Sequence, residues 1–282
     1  MSKKVLVFGS GGMLGNYLSN LLEEKGYSVI RNDISQGGID ITNEQQVRDA
    51  IFESGAEYVV NCAAYTDVEK AEEQRELAFE VNANAPKYMA KVSKELNIPF
   101  LHVSTDYIFG ENKEDGYVED YKNFLPLNVY GESKLQGELN VLEQNPNSYI
   151  FRTSWLFGPN AKNFVNKIST LAKERPELKV VTDEIGCPTY VKDLSLVMIS
   201  AIEERIEPGI YHVCSRDSLS RYEFAKEILE IQKIETPIIG CKLEDFPRKA
   251  QVPNISILIN TKLDEARTSR EMLEEHFGEI KE

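Results

Sequence analysis

The opening of the chain, "KVLVFGSGGMLG" at residues 4–15, constrains its fold more than any other stretch. The compact apolar run at 4–8 suits a parallel strand buried on both faces. Gly9, Gly12 and Gly15 follow at once, with Gly11 beside Gly12. Met13, Leu14, Leu18, Leu21 and Leu22 then recur on one helical face. Glycine permits a tight turn there and lets a pyrophosphate approach backbone N–H groups at a helix N-terminus. Strand, glycine loop and helix in this order point to a parallel α/β sheet that binds a dinucleotide.

The alternation continues. "YSVIRN" (27–32), "EYVVNCA" (57–63), "PFLHVST" (99–105) and "SYIFRTSW" (148–155) read as strands two to five. Residues 43–53 read as a helix capped by Thr42 or Asn43. Residues 78–97 are helical in pattern, and Pro86 must start a helix there or kink it. "YGESKLQGELNVLEQN" (130–145) is helical. Such alternation predicts a Rossmann-type, doubly wound parallel sheet covered on both faces. After Trp155 the elements shorten: "ELKVVTD", "YVKDLSLVMISAIEE", "GIYHVCS" and "SRYEFAKEILEIQ" read as a smaller C-terminal α/β lobe. The expected division is a dinucleotide-binding domain at 1–157 and a mainly substrate-binding lobe at 158–282, with segments that can return to the first.

The 282 residues carry a net charge of −14. That balance argues against nonspecific binding to nucleic acid or anionic membranes, though a locally positive pocket can still take a small anion. The four cysteines form no C-x-x-C, and three histidines make no zinc cluster, so no metal is expected and the thiols read as reduced. The N-terminal apolar run is too short for a signal peptide or a membrane span. These features predict a cytoplasmic protein.

Tyr130 precedes Lys134 by about one helical turn, so the phenol and the ammonium share a helix face. The spacing alone decides nothing, since Tyr222 and Lys226 repeat it. Setting separates the pairs. Strand four ends in "STDYIFG", which brings Ser104, Thr105, Asp106 and Tyr107 to the carboxyl edge of the sheet, next to the helix of the first pair. A hydroxyl there, with Tyr130 and Lys134, can converge on one carbonyl oxygen. Hydride reduction of a ketone makes an alkoxide that needs a proton. A nearby ammonium is expected to lower the phenol pKa from about 10. The lysine can also bind a nicotinamide ribose, and Thr105 can hold the substrate oxygen. Tyr222 and Lys226 lack this setting and read as surface and packing residues.

Asp33 follows strand two, where a carboxylate can hydrogen-bond adenosine ribose hydroxyls and repel a 2′-phosphate. It tips the cofactor toward NADH; Arg31, close in sequence, can accommodate a phosphate instead, so NADPH stays open. Ala63 and Ala64 end strand three with small side chains, which suit either a ligand above the sheet or helix packing.

The glycine loop, Thr105, Tyr130 and Lys134 together resemble the extended short-chain dehydrogenase/reductases. The strings "NCAAYTDVEKAE", "EVNANAPKYMA", "STDYIFG", "PLNVYGESKLQGE", "FRTSWLFG" and "DEIGCPTYVKDL", in order over residues 4–195, resemble the dTDP-4-dehydrorhamnose reductase family. That resemblance implies NAD(P)H-dependent reduction of the 4-keto group of dTDP-4-dehydro-6-deoxy-L-mannose to dTDP-L-rhamnose, with a nucleotide-sugar substrate and a monomer or homodimer. It implies catalytic roles for Thr105, Tyr130 and Lys134. On the cofactor side it implies Gly9, Gly11, Gly12, Met13, Leu14, Asp33, Asp40, Ile41, Ala63, Ala64 and Tyr65, together with Tyr130 and Lys134. Around the sugar it implies Val68, Asp106, Tyr107, Tyr130 and Trp155. The chain departs from the family in "AQVPNISIL", where Val252 stands in place of an arginine that the family usually carries. Arg248 and Lys249 are near enough in sequence to replace it. Alternatives are a reductase of another NDP-4-keto-6-deoxy sugar for a surface glycan, or a non-catalytic regulatory subunit of the same fold.

Overall fold

The computed structural model describes residues 2–203 and 205–279. Strands β1 (Lys4–Phe8), β2 (Ser28–Asn32), β3 (Tyr58–Asn61), β4 (Phe100–Thr105) and β5 (Tyr149–Thr153) form one parallel sheet with a sixth strand, Gly209–His212. Their spatial order is Gly209–His212, β5, β4, β3, β1, β2. The chain therefore leaves β1 in one direction to form β2 and in the other to form β3. Above that reversal the flanking loops part, and a crevice opens at the carboxyl ends of the strands.

The pleat of β1 explains the two-sided core. Val5 and Val7 point into a cluster with Leu14, Leu18, Leu22 and Met198, while Leu6 and Phe8 point into another with Val47, Ile51, Met89 and Phe100. The first helix covers Met13–Glu24, and the next, Glu44–Ser54, is capped by Asn43, whose side chain accepts from the Gln46 N–H.

Two elements settle what the sequence reading left open. The stretch around Pro86 is not one helix: Arg75–Phe79 passes through a π turn, Glu80–Asn84, into Ala85–Glu95. Proline lacks the N–H that an unbroken α ladder would use, and the wider turn absorbs the mismatch. The Asn82 carbonyl then presses against the helix Val129–Gln144 at Gly137, where a Cβ would lie 2.1 Å from that oxygen. Second, "GIYHVCS" is one of the later segments that return to the first sheet. Its first four residues pair with β5, whose residues are all buried and whose outer edge would otherwise carry unpaired backbone groups. The remaining C-terminal strands are short, with Leu219–Ser220, Ile185–Gly186 and Ile255–Ser256 in one small sheet.

Candidate active site

The crevice is a cleft of about 940 Å³ lined from both halves of the chain. Its first end is built by the glycine loop. Gly9 has a φ of +74°, and a Cβ there would sit 2.5 Å from the Ala63 nitrogen. A Cβ on Gly15 would sit 2.1 Å from the Gly9 carbonyl oxygen. Only glycine lets this loop fold so tightly over the start of the first helix. Asp33 accepts from the Gly11 N–H at 3.0 Å and from the Ser35 N–H at 2.9 Å. Partial burial opposes its ionisation, but the bonds from Ser35 and Gly11 prevail and hold the carboxyl below its ordinary range. The Asn32 side-chain oxygen and the Ser104 hydroxyl are buried without a partner, and both residues line the cleft. A glycine cradle beside unsatisfied polar atoms and an ionised aspartate fits an adenine dinucleotide.

Thr105, at the end of β4, donates to Asp106 Oδ1 at 3.0 Å and accepts from the Tyr107 N–H at 3.2 Å. Asn128 caps the helix Val129–Gln144 by accepting from the Gly131 N–H at 2.8 Å, and donates to the Gln251 carbonyl at 2.7 Å. Gly131 lies against the Tyr107 carbonyl, where a Cβ would come within 2.2 Å. These contacts bring Tyr130 beside Thr105, with the Tyr107 and Tyr130 rings 5.8 Å apart, edge to face. Lys134, one turn on, is buried and donates to the Val103 carbonyl at 2.6 Å.

The electrostatics differ from the expectation for the phenol. Burial pushes Tyr130 up to about 12, against the hydrogen bond with Thr105, while burial lowers Lys134 to about 8. The ammonium is held by the Val103 carbonyl, so desolvation dominates the phenol. A phenol that keeps its proton at neutral pH is in the form a reduction needs. Asp106 is buried with Oδ2 unpartnered, and desolvation pushes it up to about 6 despite bonds to hydroxyls.

Of the residues singled out in the sequence, Gly9, Gly12, Met13, Leu14, Asp33, Asp40, Ile41, Ala63, Ala64, Val68, Thr105, Asp106, Tyr107, Tyr130, Lys134 and Trp155 all line this one cleft. Gly11 and Tyr65 do not. The Gly11 N–H is taken by Asp33, and Tyr65 turns aside, its hydroxyl donating to Gln74 at 3.0 Å and its N–H to Asn82 at 2.8 Å. Arg31 is drawn away to Glu23 and Asn20. Lys249 is drawn to Glu73 and Glu69. Val252 is a buried apolar residue. Tyr222 and Lys226 border a separate shallow hollow. The sequence reading missed Arg221, which lines the cleft from the first turn of its helix. Its signal, a lone arginine beside the second Tyr–Lys pair, could not show which way it pointed.

A dinucleotide cradle that opens onto a buried threonine and lysine and a half-buried tyrosine defines an extended short-chain reductase. The chain matches the family described as RmlD substrate binding domain over residues 3–280. It is 38% identical over 275 residues to the dTDP-4-dehydrorhamnose reductase of Aggregatibacter actinomycetemcomitans, covering 93% of this chain and 92% of that one. It is 36% identical over 280 residues to the spore coat polysaccharide biosynthesis protein SpsK of Bacillus subtilis, covering 98% and 97%. The crystal structure of dTDP-4-dehydrorhamnose reductase from Bacillus anthracis in complex with NADP superposes with a TM-score of 0.94 at 35% identity, covering 99% of this chain and all of that one. The chain belongs to the dTDP-4-dehydrorhamnose reductase family.

Proposed function

We propose that the protein reduces the 4-keto group of dTDP-4-dehydro-6-deoxy-L-mannose to give dTDP-L-rhamnose, using NADPH or NADH. The observation that carries this reading is the convergence of Thr105, Tyr130 and Lys134 on the floor of a cleft whose other end is a dinucleotide cradle.

The bound nicotinamide supplies the hydride. Tyr130 supplies the proton to the alkoxide oxygen, for which its raised pKa keeps it protonated. Thr105 holds that oxygen in line. Lys134 lies one turn below, where its ammonium can meet a ribose hydroxyl and stabilise the phenolate left behind. Val68, Asp106, Tyr107 and Trp155 surround the sugar. Asp33 turns the preference toward NADH, since it faces the cradle while Arg31 is engaged by Glu23. Residues 1–157 hold the cofactor and residues 158–282 mainly the substrate, in a cytoplasmic monomer or homodimer. The similarity to a spore coat polysaccharide protein supports a product bound for a surface glycan, and with it a second reading, another NDP-4-keto-6-deoxy sugar as substrate.

The test follows reduced-nicotinamide absorbance with enzymatically generated dTDP-4-dehydro-6-deoxy-L-mannose, with NADH and NADPH supplied separately. Turnover is expected, and Tyr130→Phe should abolish nearly all of it. Cofactor binding without turnover would remove this substrate and leave the second reading.

A further inference from the structure

The second end of the cleft holds a charge arrangement that neither the reaction nor the cofactor explains. Three cationic residues line the cleft: Lys134, Lys162 and Arg221. Lys134 is engaged by the Val103 carbonyl. Lys162 is an exposed residue of the loop that packs on the glycine-loop side, where Asn163 meets Met13. Arg221 stands apart from both. Its guanidinium lies flat over Trp155, 3.5 Å from the ring centroid, with the Phe164 ring at 5.0 Å. The ring beneath it is held in an uncommon backbone shape, since Trp155 has a φ of +45°, and Gly186 leaves room for the indole edge.

Arg221 also meets Glu184, a carboxylate only 4% exposed, through Nε and Nη2 at 2.8 Å. The second carboxylate oxygen of Glu184 faces Arg248 at 3.4 Å. Two guanidiniums meet Glu184, and Arg221 also acts on the Asp106 carboxylate beside it, so the cluster is balanced in charge while the net charge of the chain is −14. Arg221 Nη1 has no hydrogen-bond partner among the described residues, so its donors remain for a ligand. A planar, pre-stacked guanidinium with free donors suits phosphate oxygens, which it can meet in pairs.

We propose that Arg221, held flat by Trp155 and Glu184 and backed by Arg248, binds the diphosphate of the substrate nucleotide. This rests on the reading of the cleft as a nucleotide-sugar reductase site and names the residue that recognises the diphosphate. It accounts for a buried carboxylate between two arginines. It also gives the chain an anion-binding cation where Val252 offers none.

The experiment titrates the full-length protein, saturated with NADP⁺, with dTDP, dTMP and thymidine by calorimetry. Wild type should bind dTDP more tightly than thymidine. Arg221→Gln should lose about ten- to a hundredfold of the dTDP affinity while thymidine and NADP⁺ binding stay unchanged. Arg248→Gln should lose less, because it acts through Glu184. Since Arg221→Gln strands a buried carboxylate, the double variant Glu184→Gln/Arg221→Gln supplies a second folded test with the same expected loss. Equal dTDP affinity in wild type and variants would overturn the proposal and leave the reductase reading standing. If UDP or GDP binds better than dTDP with the same dependence on Arg221, the diphosphate site stands and the dTDP substrate falls. Failure of wild type to bind dTDP, UDP or GDP would overturn it outright.

Discussion

At the scale of single residues, the cleft sorts its ionisable groups by desolvation. Tyr130→Phe should lower turnover about 10²–10⁴-fold while NADPH affinity, followed by fluorescence, survives. Lys134 carries its charge only below about pH 8 in the free enzyme. The value of kcat/KM for the cofactor, which reports the free enzyme, should therefore fall as pH rises through that value. A flat profile to pH 9.5 would exclude an essential ammonium. Asp106 has the opposite consequence for stability. Its folded pKa of about 6 lies above the unfolded value, so its ionisation opposes folding, and the penalty is complete above about pH 6 and absent below about pH 4. Asp106→Asn should raise stability by about 2–3 kcal/mol at pH 7 and by little at pH 4, as read by urea melts at both pH values.

At the scale of elements, the helix Val129–Gln144 is placed by what it lacks as much as by what it carries. Gly131 and Gly137 let the Tyr107 and Asn82 carbonyls press onto it. Gly137→Ala should cost about 1–3 kcal/mol, and it should also raise KM or lower kcat by shifting Tyr130 on its helix. Unchanged melting and kinetics would show the π turn to be compliant. Farther along, Glu138 meets Arg152 of β5 at 2.7 Å, with both side chains nearly inaccessible. Arg152→Met alone should cost about 3–5 kcal/mol by leaving a buried carboxylate, and adding Glu138→Leu should recover much of it.

Element by element, the first half of this architecture is readable from the chain because its signals are local. A strand buried on both faces declares itself in five residues, and a glycine loop needs only its neighbours. Thr105, Tyr130 and Lys134 could be grouped because Thr105 ends a predicted strand and the other two open the next predicted helix. Arg221 could not: it meets Trp155 across a long sequence separation, and the surrounding "SRYEFAK" reads as an ordinary amphipathic helix. The phenol pKa was misjudged for a related reason. Helical spacing places Lys134 near Tyr130 but does not show that the Val103 carbonyl holds the ammonium.

At the scale of the whole molecule, the net charge of −14 opposes the approach of anionic ligands. The cationic residues of the cleft are matched in number by the aspartates that line it, Asp33, Asp40 and Asp106, so the global field prevails at a distance. The association rate of NADPH should therefore rise with ionic strength, measured by stopped flow between low and physiological salt. A fall would reveal a local positive funnel stronger than the net charge. The sheet itself spans the cut at residue 157. Its last strand, Gly209–His212, arrives after two intervening helices, Phe164–Glu174 and Val191–Ile202. During synthesis, β5 must therefore wait with an open hydrogen-bonding edge until residue 212 has left the ribosome. A nascent or prematurely ended chain would present that edge to its neighbours, which makes this stretch of translation the interval in which the protein most needs a chaperone.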